Sequence, residues 1–410
     1  MGHRIGLFAL IRIVGLLTIF SFLSPIIHLG SFGLKPDLIF LFPLLILVLL
    51  FDDNYKKQLF FSKVFFITFL VFVSMLISGS LGNRYYMNLE GAYFPTEFIS
   101  FVSKVCVLYI FYVIGKHNII SGNLFLNAVT CVFLVSLVFG LLQILEFSYA
   151  MALTDMYAST ENQVYKISGG VSRVFSVTGN VLTWAGWSGF ILIFSSFVYR
   201  NVTLKVTMII LAVANLIFTS SRGALIAVVA ALLFYFFFVA YKTKKIRLFA
   251  KYILISVLSF FIIAWLSLYF FKDRVEFFLE RFYFLGEAIF ESGRGEQLEN
   301  IKKLFDRDIW NYLFGLGKPV VDSIGLMEIE FVFILFAYGL VGLCLQYSFV
   351  YLVLKKSVRS TLDIYGSTIF VGIVFYLVFS SGYFFLREIY SGLLFWSIIG
   401  YFLSQIRYEK

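Results

Sequence analysis

Three arginines have the chemistry and the placement to bind a phosphate group. Arg173, Arg222 and Arg294 each lie near the edge of an apolar segment or in a long polar connection. A guanidinium group stays charged, and its planar fork of N–H donors matches phosphate oxygens. Arg387, in a later connection, is a further candidate. For any one of them, the alternative is a topology-setting arginine whose charged end reaches toward water.

Two carboxylates, Glu328 and Glu330, come just before a long apolar segment. A carboxylate at the membrane surface can pair with an arginine of a neighbouring loop, or accept a proton as a general base. The alternative is plain interfacial placement, where a charge costs little. The sequence leaves these interpretations open.

The composition predicts that these residues belong to an integral membrane protein. Of the 410 residues, 61% are hydrophobic and only 14% are charged, whereas soluble domains have about 25% charged residues. A bilayer accepts such an excess because lipid-facing positions must be apolar. The net charge of +10 comes from short basic clusters between apolar segments. These clusters are typical of topology signals and not of a nucleic-acid-binding surface.

The predicted fold is an all-α polytopic membrane protein of about twelve transmembrane helices. The apolar segments lie near 6–28, 37–51, 60–79, 98–115, 123–146, 177–199, 204–219, 223–241, 250–271, 325–354, 364–382 and 388–406. The stretch 204–241 would measure roughly 57 Å as one helix, so we expect it to fold back at Thr219–Gly223. Three parts follow: helices 1–9 in 1–271, a large extracytoplasmic loop in 272–324, and helices 10–12 in 325–410.

The basic residues orient these helices. Lysines and arginines are roughly three times as frequent in one alternate set of connections as in the other, which predicts cytoplasmic N- and C-termini. Arg173, Arg222 and the 272–324 loop would then face away from the cytoplasm. Several arginines at that surface would suit a diphosphate whose lipid tail lies in the bilayer. A solvated loop that merely joins two helices is the alternative for 272–324.

Two local features of this region are also predictable. The loop has a helical pattern over 295–305 and turn residues over 314–319. The segment 325–354 would be about 45 Å long as a helix, which exceeds the thickness of the hydrocarbon core. We therefore expect this helix to protrude or to tilt.

Several classes of function are disfavoured by the sequence. It has no cluster of His, Cys or Asp with metal-ligand spacing, no Walker loop and no dinucleotide fingerprint. We therefore expect no metal and no cofactor, and no ATP-driven pump. Charges deep in the apolar segments are few, chiefly Arg12, Lys104 and Glu146, which disfavours an ion-coupled transporter.

The sequence resembles the Wzy-type polymerases of O-antigen and capsular repeat units and the related O-antigen ligases. The resemblance covers roughly residues 170–345. Its segments are Arg173–Asn180, Thr219–Ala227, Ser292–Arg294, Leu313–Gly317, Glu328–Phe331 and Tyr338–Leu343. The ligases carry a histidine at about the position of Glu328, and its absence here favours a polymerase.

The resemblance implies a metal-independent glycosyltransferase of the bacterial inner membrane. Its substrates would be oligosaccharide repeat units on undecaprenyl diphosphate, and a chain-length regulator is a candidate partner. Arg173, Arg222, Arg294 and Arg387 would bind the diphosphate. Arg222 and Arg294 would also act in catalysis, with Glu328 or Glu330 as general base. The alternatives are an O-antigen ligase, with lipid A-core as acceptor, and a flippase of lipid-linked oligosaccharides.

Overall fold

The structure, a computed structural model, describes most of the chain. The described residues are 2–25, 27–29, 32–34, 36–52, 59–82, 95–157, 167–168, 171–244, 294–324, 329–361, 363–387 and 392–406. The predicted span 250–271, the part of the predicted loop over 272–293, and Glu328 lie outside them.

The described part of the chain is mainly helical. Its helices are α1 Gly2–Phe20, α2 Pro36–Phe51, α3 Leu59–Gly82, α4 Pro95–Lys116, α5 Gly122–Ile144, α6 Ser148–Tyr157, α7 Val181–Val198, α8 Val202–Phe218, α9 Arg222–Thr243, α10 Arg294–Phe305, α11 Ile309–Phe314, α12 Lys318–Ile324, α13 Glu330–Val358, α14 Ile364–Phe379 and α15 Gly392–Gln405. Two short antiparallel pairs of strands accompany them. They join β1 Ile27–Leu29 to β2 Phe32–Leu34, and β3 Ile167–Ser168 to β4 Val171–Ser172.

The helices of the described residues confirm a helical membrane protein. Seven are long and apolar enough to cross a membrane: Gly6–Leu23, Phe60–Gly82, Glu97–Lys116, Gly122–Ile144, Val181–Val198, Arg222–Thr243 and Glu330–Val358. Four shorter apolar helices are Leu38–Phe51, Val202–Phe218, Ile364–Phe379 and Gly392–Gln405. Large apolar side chains such as Phe42, Phe66 and Phe234 are more than 60% exposed, as lipid-facing residues are. The count of twelve spans stays a prediction.

The contacts divide the chain into two compact units. Unit 1 takes in the described residues within 1–134, 293–359 and 380–410, and unit 2 those within 135–292 and 360–379. In unit 1, α4 packs closely against α15, since a Cβ added at Gly400 would lie 2.3 Å from the carbonyl oxygen of Leu108. The rings of Phe125 and Tyr401 stack at 3.9 Å in the same unit.

In unit 2, the buried side-chain amide of Asn215 forms hydrogen bonds that connect three helices. Asn215 on α8 accepts a 3.0 Å hydrogen bond from the indole N–H of Trp184 on α7 and donates one of 3.1 Å to the carbonyl of Leu137 on α5. Gly140 makes room for it, because a Cβ there would lie 1.9 Å from the Asn215 side-chain oxygen. Such a bond specifies helix packing where water is absent.

The long helix α13 is broken at Gly339, whereas its length had predicted a protruding end or a tilt. Gly339 has a φ of 68° and a ψ of −173°, so the helical path is interrupted there. The part after Gly339 measures roughly 28 Å, close to the thickness of the hydrocarbon core. The break thus leaves a span of ordinary length, and Glu330 belongs to a separate short helical segment.

The connection between α11 and α12 packs against this break through glycine backbones. Gly315 and Gly317 have φ values of 79° and 82°. The N–H groups of Leu316 and Gly317 donate to the carbonyls of Phe336 and Ala337 at 2.8 and 2.9 Å. The predicted turn over 314–319 is therefore confirmed, and it repairs hydrogen bonding at the broken helix.

Candidate functional site

Two of the predicted arginines lie at the turn between α8 and α9 in unit 2. The Nε of Arg173 donates a 2.8 Å hydrogen bond to the backbone carbonyl of Thr219. Arg222 is the first residue of α9, three positions later. Ser220 between them has a φ of 52°, which lets the chain reverse within a few residues. The predicted turn at 219–223 is confirmed, and Arg173 is bound to it.

A neutral polar network holds the segment that carries Arg173. The N–H of Ser176 donates to the side-chain oxygen of Gln143 at 2.8 Å, and its hydroxyl donates to the carbonyl of Ser136 at 2.6 Å. Gln143 donates in turn to the hydroxyl of Thr154 on α6 at 3.1 Å. All four residues are buried. Satisfied buried networks of this kind fix one arrangement of the backbone.

A second set of charged residues meets in unit 1, around the connection between α14 and α15. Glu330 is fully buried, and its Oε1 accepts hydrogen bonds from the N–H groups of Phe385 and Arg387 at 2.9 and 2.7 Å. The backbone N–H of Glu330 donates to the carbonyl of Ser380 at 3.1 Å. Two N–H groups two residues apart that converge on one anionic oxygen form a backbone nest.

The same connection is held from another side by Lys104 on α4. This lysine is fully buried, and its ammonium group donates to the carbonyl of Leu386 at 2.5 Å. It also donates to the carbonyl and the hydroxyl of Ser100, at 3.2 and 2.6 Å. These three acceptors match the three N–H donors of the ammonium group. Lys104 and Glu330 therefore bind alternate backbone groups of 385–387.

The arginine at the end of this connection is held by rings and by a carboxylate. The guanidinium carbon of Arg387 lies 3.3 Å from the ring centre of Phe333 and 4.4 Å from that of Phe384. Its Nε lies 3.4 Å from the Oε2 of Glu97, with side-chain exposures of 13% and 12%. A cation over a ring face is attracted by the ring quadrupole, and more strongly when water is excluded.

These charges lie at one end of the unit 1 helices. Glu97 and Glu330 belong to the first turns of α4 and α13, whose last turns carry Lys116, Lys355 and Lys356. At the lysine end, the ammonium group of Lys356 lies 4.7 Å from the ring centres of Phe60 and Tyr112. The candidate site therefore lies at the end of unit 1 that is away from these lysines.

The structure places the predicted residues in two groups. Arg173 and Arg222 belong to unit 2, whereas Glu330 and Arg387 belong to unit 1. Arg294 begins α10, which confirms the predicted helix over 295–305. Glu330 differs from its prediction as a surface carboxylate, because it is buried and its partners are backbone N–H groups instead of loop arginines.

Two residues of the unit 1 group, Glu97 and Lys104, were missing from the predicted site. The signal for Lys104 was its place inside an apolar segment, where an ionisable residue usually has a functional or structural partner. Glu97 gave no comparable signal, because a glutamate in the first turn of a helix is favoured by the helix dipole alone.

The comparisons with known proteins add no relative. No protein-family model matches the chain, and no curated protein matches it. The fold and the site together define a helical membrane protein. One unit has a buried cluster of charged residues, and the other has a turn that carries an arginine.

Proposed function

We propose that the chain polymerises oligosaccharide repeat units carried on undecaprenyl diphosphate. The observation that carries the proposal is the hydrogen bond from Arg173 to Thr219, which joins the segment of Arg173 to the turn that carries Arg222. Those two segments were selected by the family resemblance, and their contact in space is independent support for it.

In the proposed reaction, a sugar hydroxyl of one lipid-linked unit attacks the anomeric carbon of the growing chain. The bond between that carbon and the diphosphate oxygen breaks, and the diphosphate leaves with the electron pair. The hydroxyl proton passes to a base, for which Glu328 and Glu330 are the sequence-based candidates. Arginines fixed before the reaction stabilise the charge that develops on the leaving diphosphate.

The electrostatics of unit 1 are compatible with this chemistry. Arg387 is held against two rings and Glu97, at the end of the helices away from the lysines. Under the positive-inside rule that end faces away from the cytoplasm. The reaction is therefore proposed at the outer face of the bacterial inner membrane, with a chain-length regulator as candidate partner.

The test is a gel of surface polysaccharide from a deletion strain complemented with variants. Arg222→Ala is expected to replace the ladder of chain lengths by single repeats. Its matched control is Arg200→Ala, which removes an exposed arginine at the end of α7 and is expected to keep the ladder. A normal ladder from Arg222→Ala would overturn the assignment of that arginine.

The deletion strain also separates the alternatives. Polymer that accumulates on its lipid carrier without attachment would favour the ligase. An unchanged ladder in the deletion strain would remove the glycosyltransferase proposal and favour the transporter.

A further inference from the structure

Glu330 makes an unusual set of contacts for a general base. Its Oε1 is already occupied by the N–H groups of Phe385 and Arg387, at 2.9 and 2.7 Å. Its own backbone N–H binds the carbonyl of Ser380, so this one residue is bonded to both ends of the connection 380–387. A residue with these contacts determines where that connection lies.

Lys104 completes the attachment from α4. The carbonyl of Leu386 lies between the two N–H groups that Glu330 binds, and it accepts from the Lys104 ammonium group. The stem of this lysine is confined as well, because a Cβ at Gly392 would lie 3.0 Å from its Cε. The backbone of 385–387 is thus fixed by one buried anion and one buried cation.

The side chain at the end of this backbone is Arg387. Its guanidinium group lies over Phe333, which is three residues after Glu330 on α13 and therefore on the same face of that helix. Any movement of the 385–387 backbone would carry the guanidinium away from Phe333 and from Glu97. Displacing a catalytic or binding group by about 1 Å can cost on the order of 100-fold in rate.

From these contacts we infer that Glu330 and Lys104 are positioning residues that fix the guanidinium of Arg387 for binding the diphosphate of the lipid-linked substrate. This inference rests on the proposed function for the identity of the ligand. It assigns Glu330 a role different from that of the general base.

The pair Glu330→Gln and Glu330→Ala separates the two roles. The amide oxygen of Gln can accept both N–H bonds in place of Oε1, but an amide cannot take up a proton as a base. The amide NH₂ would replace Oε2, which is buried and has no hydrogen-bond partner among the described residues. Ala removes the acceptor altogether.

With purified full-length protein and lipid-linked repeat units, Glu330→Gln is expected to keep activity within about threefold of wild type. Glu330→Ala is expected to lose about 10- to 100-fold, mainly as a raised KM for the donor. Equal loss of kcat in both variants would overturn the positioning role and restore the base. The control Glu299→Ala removes an exposed carboxylate of α10 and is expected to match wild type.

A second readout does not depend on activity. A Leu386→Cys variant places a thiol at a buried position between the two N–H groups that Glu330 binds, in a background without the exposed Cys131 and Cys344. Its labelling by a water-soluble maleimide is expected to rise several-fold with Glu330→Ala and to stay unchanged with Glu330→Gln. Unchanged labelling with Glu330→Ala would overturn the inference, even if the protein proved to be a polymerase. The predicted labelling pattern in a protein without polymerase activity would retain the positioning role and refute only the proposed ligand.

Discussion

The two units place arginines by different physical means. In unit 1, Arg387 belongs to a buried cluster of two carboxylates and two cations, with Lys104 and Glu330 fully buried. In unit 2, Arg173 is held by a backbone carbonyl, on a segment fixed by uncharged groups of Ser176 and Gln143. The first arrangement depends on balanced charge, and the second on hydrogen bonds to uncharged partners.

The difference has energetic consequences. Removing one partner of a buried ionic cluster leaves a desolvated charge, which typically costs about 3–5 kcal/mol. Removing one partner of a neutral buried hydrogen bond costs about 1–3 kcal/mol. Unit 1 should therefore lose more stability than unit 2 from single substitutions at its site.

The largest effect is expected where unit 1 depends on close backbone contact. A Cβ at Gly339 would lie 2.3 Å from the carbonyl carbon and oxygen of Leu313, at a φ of 68°. Gly339→Ala is therefore expected to lower the free energy of unfolding by about 4 kcal/mol, from strain and overpacking combined. The measurement is the thermal unfolding midpoint of the protein in detergent.

The control for this substitution lies in unit 2. Gly223 has no atom within 4 Å of an added Cβ and lies in the first turn of α9. Gly223→Ala is expected to leave the midpoint unchanged or to raise it slightly, because alanine is the better helix former. A midpoint for Gly339→Ala equal to that of wild type would show that the break in α13 does not need a glycine.

The next effect tests the charge balance directly. Lys104→Met keeps the length of the side chain but removes the cation. That cation donates a hydrogen bond to the carbonyl of Leu386 and interacts electrostatically with Glu330. It is expected to cost about 3 kcal/mol, whereas Asn215→Leu in unit 2, which breaks neutral bonds only, is expected to cost about 2 kcal/mol. Both values come from unfolding midpoints measured under one set of conditions.

A double variant sharpens this test. In Lys104→Met combined with Glu330→Gln, neither buried charge remains, so the loss should be smaller than the sum of the two single losses. Strict additivity would show that the charges of Lys104 and Glu330 do not support each other, and the contrast between the units would then fail.

How far the sequence predicts this architecture depends on the range of the interaction. Apolar runs specified the helices, and the turn at residues 219–221 before α9 was predictable because its residues act within a few positions. The cluster of unit 1 joins Glu97, Lys104, Glu330 and Arg387 across nearly three hundred positions. Nothing local in the sequence specifies such pairings.

The break in α13 shows a second reason why the sequence did not predict part of the structure. Length alone correctly indicated that the segment was too long for one straight span, but it did not choose among tilt, protrusion and a break. That choice depends on the connection around Gly315 and Gly317, where the backbone N–H groups of Leu316 and Gly317 bind the carbonyls of Phe336 and Ala337 next to the break. These glycines come more than twenty positions earlier in the sequence.

The smallest effect concerns the strained backbone of unit 2. Ser176 is buried with a φ of 47°, a conformation that costs a non-glycine residue about 1 kcal/mol. Ser176→Ala and Ser176→Gly both lose the hydroxyl bond to Ser136, but only glycine relieves the strain. Ser176→Ala is therefore expected to lower the free energy of unfolding by about 1 kcal/mol, and Ser176→Gly to leave it nearly unchanged. If both variants unfold at the same temperature, the neutral network does not hold Ser176 under strain.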